Sequence, residues 1–518
     1  MSKSILIGWG RRSITPDRPV AIPGQFHLRV SQGELNPISV SALAIDNGAD
    51  SVIFASIDMV VCRGGLLDAV IAKLEKLAPE VPVDNIVLNA THTHAGPGVS
   101  KYGDISGLDI MTSKETVDFL AQRVAEAVAE AWRSKAPGQV AYGYGFATVG
   151  HSRRVIYLDD VSKRPSALAK PGIAVNGHGV MYGNTNDPMF SHYEAGSDSF
   201  INLLYTFDRQ GKLTGAIVNV PCPAQTGEHL WVLHAGFWHP VREKIRARHG
   251  DIGIICQSAA GGDLAPRQLH YLAAELRRYK LKYPEKYAEL EAHPFPYPEG
   301  FFKTAEGAEK RRRQDILDFL RAEDIGERVA AAFDEVLEWA SKEKLSAPEL
   351  KHEVKNVLLD RRLFPENIYN AEKANFEALA KKEFVATGNK WGDVRDNSIL
   401  FAARNRCRTV MDTHEREQAD RKLKTCIHAV RIGDASFVSN RFELFIDYMH
   451  RIQARSPFAQ TFIVQLTADH GPDGGSYLAT ERAIANKGYS ASPYCNRVSP
   501  TGGQQLVENT LEMLGDMK

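Results

Sequence analysis

The segment Thr91-His92-Thr93-His94 places two imidazoles two residues apart. In an extended chain such residues face the same side, so both rings can enter one cavity. Neutral imidazole is a common metal ligand and the usual proton carrier near neutral pH. One ring can serve as ligand and the other as proton shuttle beside it; the plainer reading is two polar histidines at a strand end. Gly96-Pro97-Gly98 follows at once, a tight turn of the kind found in site loops.

Cys222 stands between Pro221 and Pro223, whose restricted φ fixes its direction. A thiolate there is a competent zinc ligand, whereas a lone buried thiol is inert packing. Glu228, His229, His234 and His239 follow in a short polar stretch. Asp263 comes after the small residues Ser258-Ala259-Ala260-Gly261-Gly262, which allow close backbone approach, and its carboxylate could hold a histidine tautomer. Glu443 lies just past a strand, and Asp469, His470, Asp473, Tyr477 and Tyr489 lie beyond it. Tyrosine is a rare metal ligand, so spacing alone does not nominate Tyr477.

These residues need a scaffold. Residues 40–57 read as two strands joined at Asn47-Gly48, and 61–77 as a helix. A strand over 85–89 leads directly into the histidine segment. An Ala-rich amphipathic helix spans 116–132, residues 139–150 read as Gly- and aromatic-rich strand or loop, and strands are expected at 201–207, 216–220 and 252–257. Residues 268–345 form a charged, largely helical insertion with a Pro-rich loop at 293–300 and a long helix near 315–341. Strand character returns at 345–360 and 405–440. Short strands ended by Gly-, Pro- and His-containing turns predict an α/β fold with mixed β-sheets flanked by helices. No clear linker divides the chain, so residues 1–518 read as a single domain.

Composition narrows the function classes. Of 518 residues, 43% are hydrophobic and 24% charged, the profile of a globular protein. Lys+Arg and Asp+Glu are both 63, which gives no support to a nucleic-acid binder. The six cysteines form no CxxC pair and are too sparse for a disulfide scaffold. The opening Met1–Gly10 lacks the apolar stretch of a signal peptide, and no run is long enough to span a membrane. The expectation is a cytoplasmic protein acting on a small-molecule substrate, with a homo-oligomer left open.

Thr91–Gly98 (THTHAGPG) resembles the ATHTHSGPG segment of the neutral/alkaline non-lysosomal ceramidases, zinc amidases that cleave the N-acyl bond of ceramide. Further segments resemble that family in the same order. Gly8–Pro16 matches its opening Gly…Asp-Ile-Thr-Pro, and Arg153 falls at its Asn-Arg-Ser. Gly196 and Asp198 fall at its Gly-x-x-Asp, and residues 257–266 at its QSNAGDVSP. Glu443 matches the glutamate of its Pro-Gly-Glu, and Tyr477 and Tyr489 match a tyrosine pair of the same separation. The resemblance implies a ceramidase-like catalytic domain with His92, Glu443 and Tyr477 as zinc ligands. His94, Arg153 and Tyr489 would line the substrate site. Where the family has its second zinc histidine, this chain has Cys222-Pro223-Ala224-Gln225; the family's serine beside the amide is Ala265 here. The expectation is a catalytic-domain-only member, without the family's usual secretion signal and C-terminal immunoglobulin-like domain.

The function expected from these residues is a zinc-dependent hydrolase of an amide or related C–N or ester bond in a small or polar substrate. One ion is expected, with another divalent metal not excluded. His92, Cys222, Glu443 and Tyr477 are the expected ligands, with His229 or His94 as the alternatives to Cys222. His94 is the expected proton shuttle; Arg153 and Tyr489 would steady the developing oxyanion, with Asp263 as the tautomer holder. The competing readings are a metal-dependent enzyme on a sugar or polyol derivative, drawing on Arg153, Asp198, His239 and Asp473, and a non-catalytic binding protein that keeps the fold.

Overall fold

The computed structural model describes residues 4–165 and 176–518, so the first three residues of the opening segment lie outside it. In the strand Ser39–Asp46, Val40, Ala42 and Ala44 face one apolar layer, while Leu43 and Ile45 face another. A strand apolar on both sides must lie inside a stack of layers. It pairs antiparallel with Ser51–Ile57 across the expected Asn47-Gly48 turn, where Asn47 N donates to Asp50 O (3.1 Å).

This hairpin belongs to an eight-stranded sheet. Its order is Gly253–Ser258, Leu213–Val220, Phe200–Asp208, Ala136–Phe146, Leu6–Ser13, Ser39–Asp46, Ser51–Ile57 and Ile86–Ala90. The two end strands touch: Asn89 Nδ2 donates to Cys256 O (3.1 Å), and Cys256 N donates to Ser56 Oγ (3.1 Å). The sheet therefore curls round and brings distant segments to one place.

One face carries the helices Leu66–Leu77, Ser113–Arg133, Trp238–His249 and Ala305–Ala340, packed through Val70, Val124, Val241 and Phe333. The second of these starts at a capping box, with Thr112 and Glu115 satisfying each other's backbone amides. The other face meets a four-stranded sheet of Leu350–Asp360, Lys422–Ile432, Ala435–Ser439 and Gln460–Val464. Phe54 contacts Phe437 across the interface at 4.8 Å between ring centroids, and Phe437 stacks on Phe462 at 4.1 Å. Helices Ile446–Gln453 and Pro500–Met517 cover the far side of this smaller sheet. The architecture is α/β with mixed sheets flanked by helices, as the sequence predicts.

Three boundaries differ from the sequence reading. The helix expected over 61–77 begins at Leu66, because Gly64 and Gly65 hold φ of 73° and 78°. The stretch 405–419, read as strand, is the end of the helix Lys390–Ala419; only 422–432 and 435–439 are strands. Ala403, Cys407 and Val410 are buried at helical spacing, and this face, packed on the helix Glu366–Ala380, overrides the local strand signal. The long helix expected near 315–341 already starts at Ala305, capped by Thr304. Its second half, with Ile325, Val329 and Phe333, fills the main apolar layer, while Ile316 and Leu320 form a small cluster with Tyr279. Among the described residues no helix is long and apolar enough to cross a membrane.

Candidate active site

After the strand Ile86–Ala90 the chain turns at His92, whose φ is 62°. A non-glycine residue in the left-handed region costs roughly 1–3 kcal/mol and persists only where its surroundings hold it. Here His92 N donates to Met59 O (3.0 Å), and His92 Nδ1 lies 2.6 Å from Val60 O. A carbonyl can only accept, so Nδ1 carries the proton and Nε2 presents its lone pair. Burial, reinforced by the neighbouring His94 and Arg153, keeps this ring neutral far below the usual histidine range. Thr93 points away and donates to His234 O (2.8 Å). Arg29, itself buried, donates to the His94 carbonyl and to Leu230 O (2.7 Å), pinning the second histidine. Gly24 sits against its ring; a Cβ there would come within 2.6 Å of His94 Nδ1, and its φ is 104°.

The state of His94 follows from Arg153. A guanidinium only donates, and Arg153 Nη1 is 2.7 Å from Gln225 Oε1. The Gln225 amide must therefore turn its NH2 toward His94 Nε2, 3.0 Å away. His94 Nε2 is then an acceptor, and the proton sits on Nδ1, in an oblique contact 3.3 Å from Glu228 Oε2. Burial works against ionising Glu228, but the His94 contact and nearby positive charge outweigh it and hold the carboxyl well below its ordinary value.

Nε2 of His92 and Nε2 of His94, both unprotonated, thus lie 3.3 Å apart, the His94 nitrogen being held by the Gln225 amide. Glu443 Oε2, buried and without a hydrogen bond, lies 3.5 Å from His92 Nε2. The His92 nitrogen and the Glu443 oxygen are acceptors crowded together without a proton to share, and such a pair repels. Two nitrogens bound about 2.05 Å from a tetrahedral ion stand about 3.3 Å apart. Among the described residues no three His, Cys, Asp or Glu side chains form a ready-made metal-binding group. The corner does hold two unprotonated nitrogens and an orphaned carboxylate oxygen.

Glu443 is placed by a short parallel pairing of Glu443–Leu444 with Tyr477–Leu478, which sets the glutamate opposite the tyrosine. Burial raises the Glu443 carboxyl, opposed by Arg153, whose Nη2 is 3.8 Å away. Arg153 Nη2 also donates to Tyr477 Oη (3.3 Å) and to the carbonyls of Gly261 and Gly262 (3.1 Å each). Tyr489 meets Tyr477 edge-on at 5.7 Å between centroids. The structure therefore brings His92, His94, Arg153, Glu443, Tyr477 and Tyr489 to one place.

Other residues named from the sequence are not brought into this set of contacts. Cys222 lies in the main apolar layer, its Sγ donating to Pro223 O (3.4 Å), and burial raises its thiol pKa. Asp263 accepts from Ile446 N (3.1 Å) at the start of the helix Ile446–Gln453, and its backbone carbonyl accepts from Arg153 N. Burial pushes its carboxyl up to about 7. His229 Nε2 is 3.8 Å from Glu228 Oε1. Asp198 accepts from His450 Nε2 (3.0 Å).

Two site members were absent from the sequence-based ligand set. Gln225 bridges Arg153 and His94, and Glu228 faces His94. The available signal was the Cys222–Gln225 segment at the missing histidine: its last residue, not its first, reaches the imidazoles. The corner opens into a cavity of about 1130 Å³ lined by both tyrosines and Glu443, with Arg63, Tyr102 and Phe401 farther out.

No protein-family model matches the sequence, and no curated relative matches it. Solved structures do match in fold. Neutral ceramidase from Pseudomonas aeruginosa aligns with a TM-score of 0.62 at 15% identity, covering 99% of this chain and 74% of that one. A ceramidase complexed with C2 aligns with a TM-score of 0.60 at 15% identity, covering 99% and 75%. The chain therefore has the fold of the neutral-ceramidase catalytic domain, at a sequence distance where the likeness is one of fold.

Proposed function

We propose that this chain is a metal-dependent hydrolase, with zinc the favoured ion, that cleaves an amide or related C–N or ester bond of a small, polar substrate. The observation that carries this reading is the pair of unprotonated imidazole nitrogens 3.3 Å apart with the orphaned Glu443 oxygen beside them. Nitrogen and carboxylate donors suit zinc. In this reading His92, His94 and Glu443 hold the ion, and the Tyr477 phenol stands at its edge. Of the three ways to complete the ligand set, His94 is favoured over Cys222 and His229, because its nitrogen alone faces that of His92.

A bound divalent ion supplies Lewis acidity that polarises a substrate carbonyl. The protein's own residues do the rest. Gln225, anchored on Arg153, holds His94 Nε2 where an ion would take its place, and Glu228 Oε2 faces the far nitrogen at 3.3 Å. Burial keeps the Tyr477 phenol protonated into the alkaline range, so its hydroxyl can donate to a substrate oxygen or leaving nitrogen. Arg153 stands 3.3 Å behind that hydroxyl and offsets negative charge that develops there.

The cavity wall favours a polar substrate. It combines Arg63, Lys101, Asp473 and Arg497 with the rings of Tyr102 and Phe401, a mixture suited to hydroxyl- and charge-bearing molecules. Of the residues behind the sugar or polyol reading, Asp473 lines this wall, whereas Asp198 bonds His450 and His239 lines a separate small cavity. The test is turnover of a panel of N-acyl amides, N-acyl amino sugars and activated esters before and after metal removal. Loss of turnover on chelation and its return with zinc are expected; turnover indifferent to chelation would contradict the metal reading.

A further inference from the structure

A second cavity, of about 470 Å³, lies behind the loop that leads to Tyr477. Pro472, Asp473, Gly474 and Ser476, together with Arg497, line both this cavity and the larger one. The six cations Arg361, Arg416, Lys422, Lys424, Arg441 and Arg497 line the second cavity, against the two carboxylates Asp420 and Asp473. The whole chain has a formal charge of +0, so this excess is local rather than a share of a general surplus.

Internal partners absorb part of it: Lys422 Nζ bonds the Asp360 carboxylate, and Arg441 Nη1 lies 3.2 Å from that of Asp469. Asp473 is shared, with Arg497 3.5 Å from its carboxylate and Arg441 on its backbone carbonyl. Arg361 is nine-tenths buried; its Nη2 reaches the exposed Asp420 (3.2 Å), but its Nε is buried with no hydrogen bond. Arg416 and Lys424 have no carboxylate partner among the described residues and are exposed at the rim. Burial, opposed by Asp473 but reinforced by Arg416, Arg441 and Arg361, holds the Arg497 guanidinium below its ordinary value.

Cations gathered this closely repel unless an anion lies among them, and planar guanidinium groups match oxyanions in geometry. The volume is that of a small-molecule site. We infer that this cleft binds a small, multiply charged oxyanion, of the phosphoryl or polycarboxylate type. Arg361 supplies the buried donor, and Arg416, Lys424 and Arg497 supply the surrounding charge. This site does not depend on the hydrolase reading.

Calorimetric titration of the full chain in low salt tests it, with inorganic pyrophosphate and citrate as probes. Saturable binding with Kd below about 1 mM is expected for at least one of them. The tighter probe identifies the ligand type. The affinity should fall at least about tenfold in Arg361→Gln and in the exposed pair Arg416→Gln with Lys424→Gln. The exposed pair keeps the test open if Arg361→Gln does not fold. Binding should survive in His92→Ala, which separates this cleft from the histidine corner. No binding of either probe would overturn the inference. So would binding lost in His92→Ala yet kept in the exposed pair.

Discussion

Arg153 and Arg154 are consecutive, both fully buried, and serve opposite ends. Adjacent residues of an extended chain face opposite sides, and the two environments differ in how completely they satisfy a charge. Arg154 uses every nitrogen. Its Nε and Nη2 bond Glu194, its Nη1 bonds Ser490 Oγ (3.1 Å), and Nη2 also bonds the carbonyls of Ala483 (3.2 Å) and Lys487 (2.7 Å). Arg153 has an orphaned Nε and stands 3.8 Å from Glu443, whose Oε2 is itself orphaned. One arginine closes a network that ties the 481–491 region to the strand Arg154–Tyr157. The other leaves a network open on the side where a ligand would enter. An orphaned Nε is no marker by itself, since Arg242, paired with the buried Asp58, also has one; at Arg153 it counts because an orphaned carboxylate oxygen stands beside it.

The largest effect expected from this contrast is on stability. Arg154→Ala leaves Glu194 buried and unpaired, and urea unfolding should show a loss of about 3–5 kcal/mol. Arg153→Ala should lose at least about 1 kcal/mol less than that, because the carboxylate beside it is already unsatisfied, yet cost about 100-fold or more in turnover. Equal losses of stability in the two variants would break the comparison. The next effect separates two residues of one loop. Glu228→Ala should weaken metal affinity by about 10- to 100-fold, as loss of a group facing a ligand's far nitrogen does. Cys222→Ala should leave metal affinity unchanged and cost on the order of 1 kcal/mol in packing. Metal lost from Cys222→Ala but not from Glu228→Ala would return the cysteine to the site.

The smallest effect concerns Asp263, whose carbonyl holds Arg153 N. Its carboxyl is pushed up to about 7 by burial, against about 4 in an unfolded chain. Below about 4 both states hold the proton, and the group's contribution to stability is complete. Between about 4 and 7 the unfolded chain ionises first, so that contribution is lost as pH rises. Asp263→Asn should flatten this part of the stability profile; an unchanged slope would assign it to other groups.

Much of the scaffold is legible in the sequence because it rests on local signals. The Asn47-Gly48 hairpin and the helix after Thr112 follow from turn chemistry and periodicity. Residues 405–419 carry a local strand signal, but Ala403 and Cys407 pack on Leu379 of the preceding helix Glu366–Ala380, a contact that no local pattern displays. The site shows the same division. His92 and His94 are adjacent in sequence and their motif is visible, whereas Gln225 enters through hydrogen bonds to Arg153 and His94, 72 and 131 residues away. The prolines around Cys222 restrict its backbone but do not say which side the sulfur faces; the curl of the large sheet decides that. Tyr477 was nominated by resemblance alone, since its role depends on pairing with Glu443.

The central claim is that the unprotonated Nε2 atoms of His92 and His94, with Glu443, form a place for a divalent ion. Anomalous scattering from a zinc-supplemented crystal, recorded at the metal edge, tests it most directly. The account predicts one strong peak about 2.1 Å from His92 Nε2 and His94 Nε2, with a Glu443 oxygen in the same shell. A peak bonded to Cys222 sulfur or His229 instead, or no peak at this corner, would contradict it.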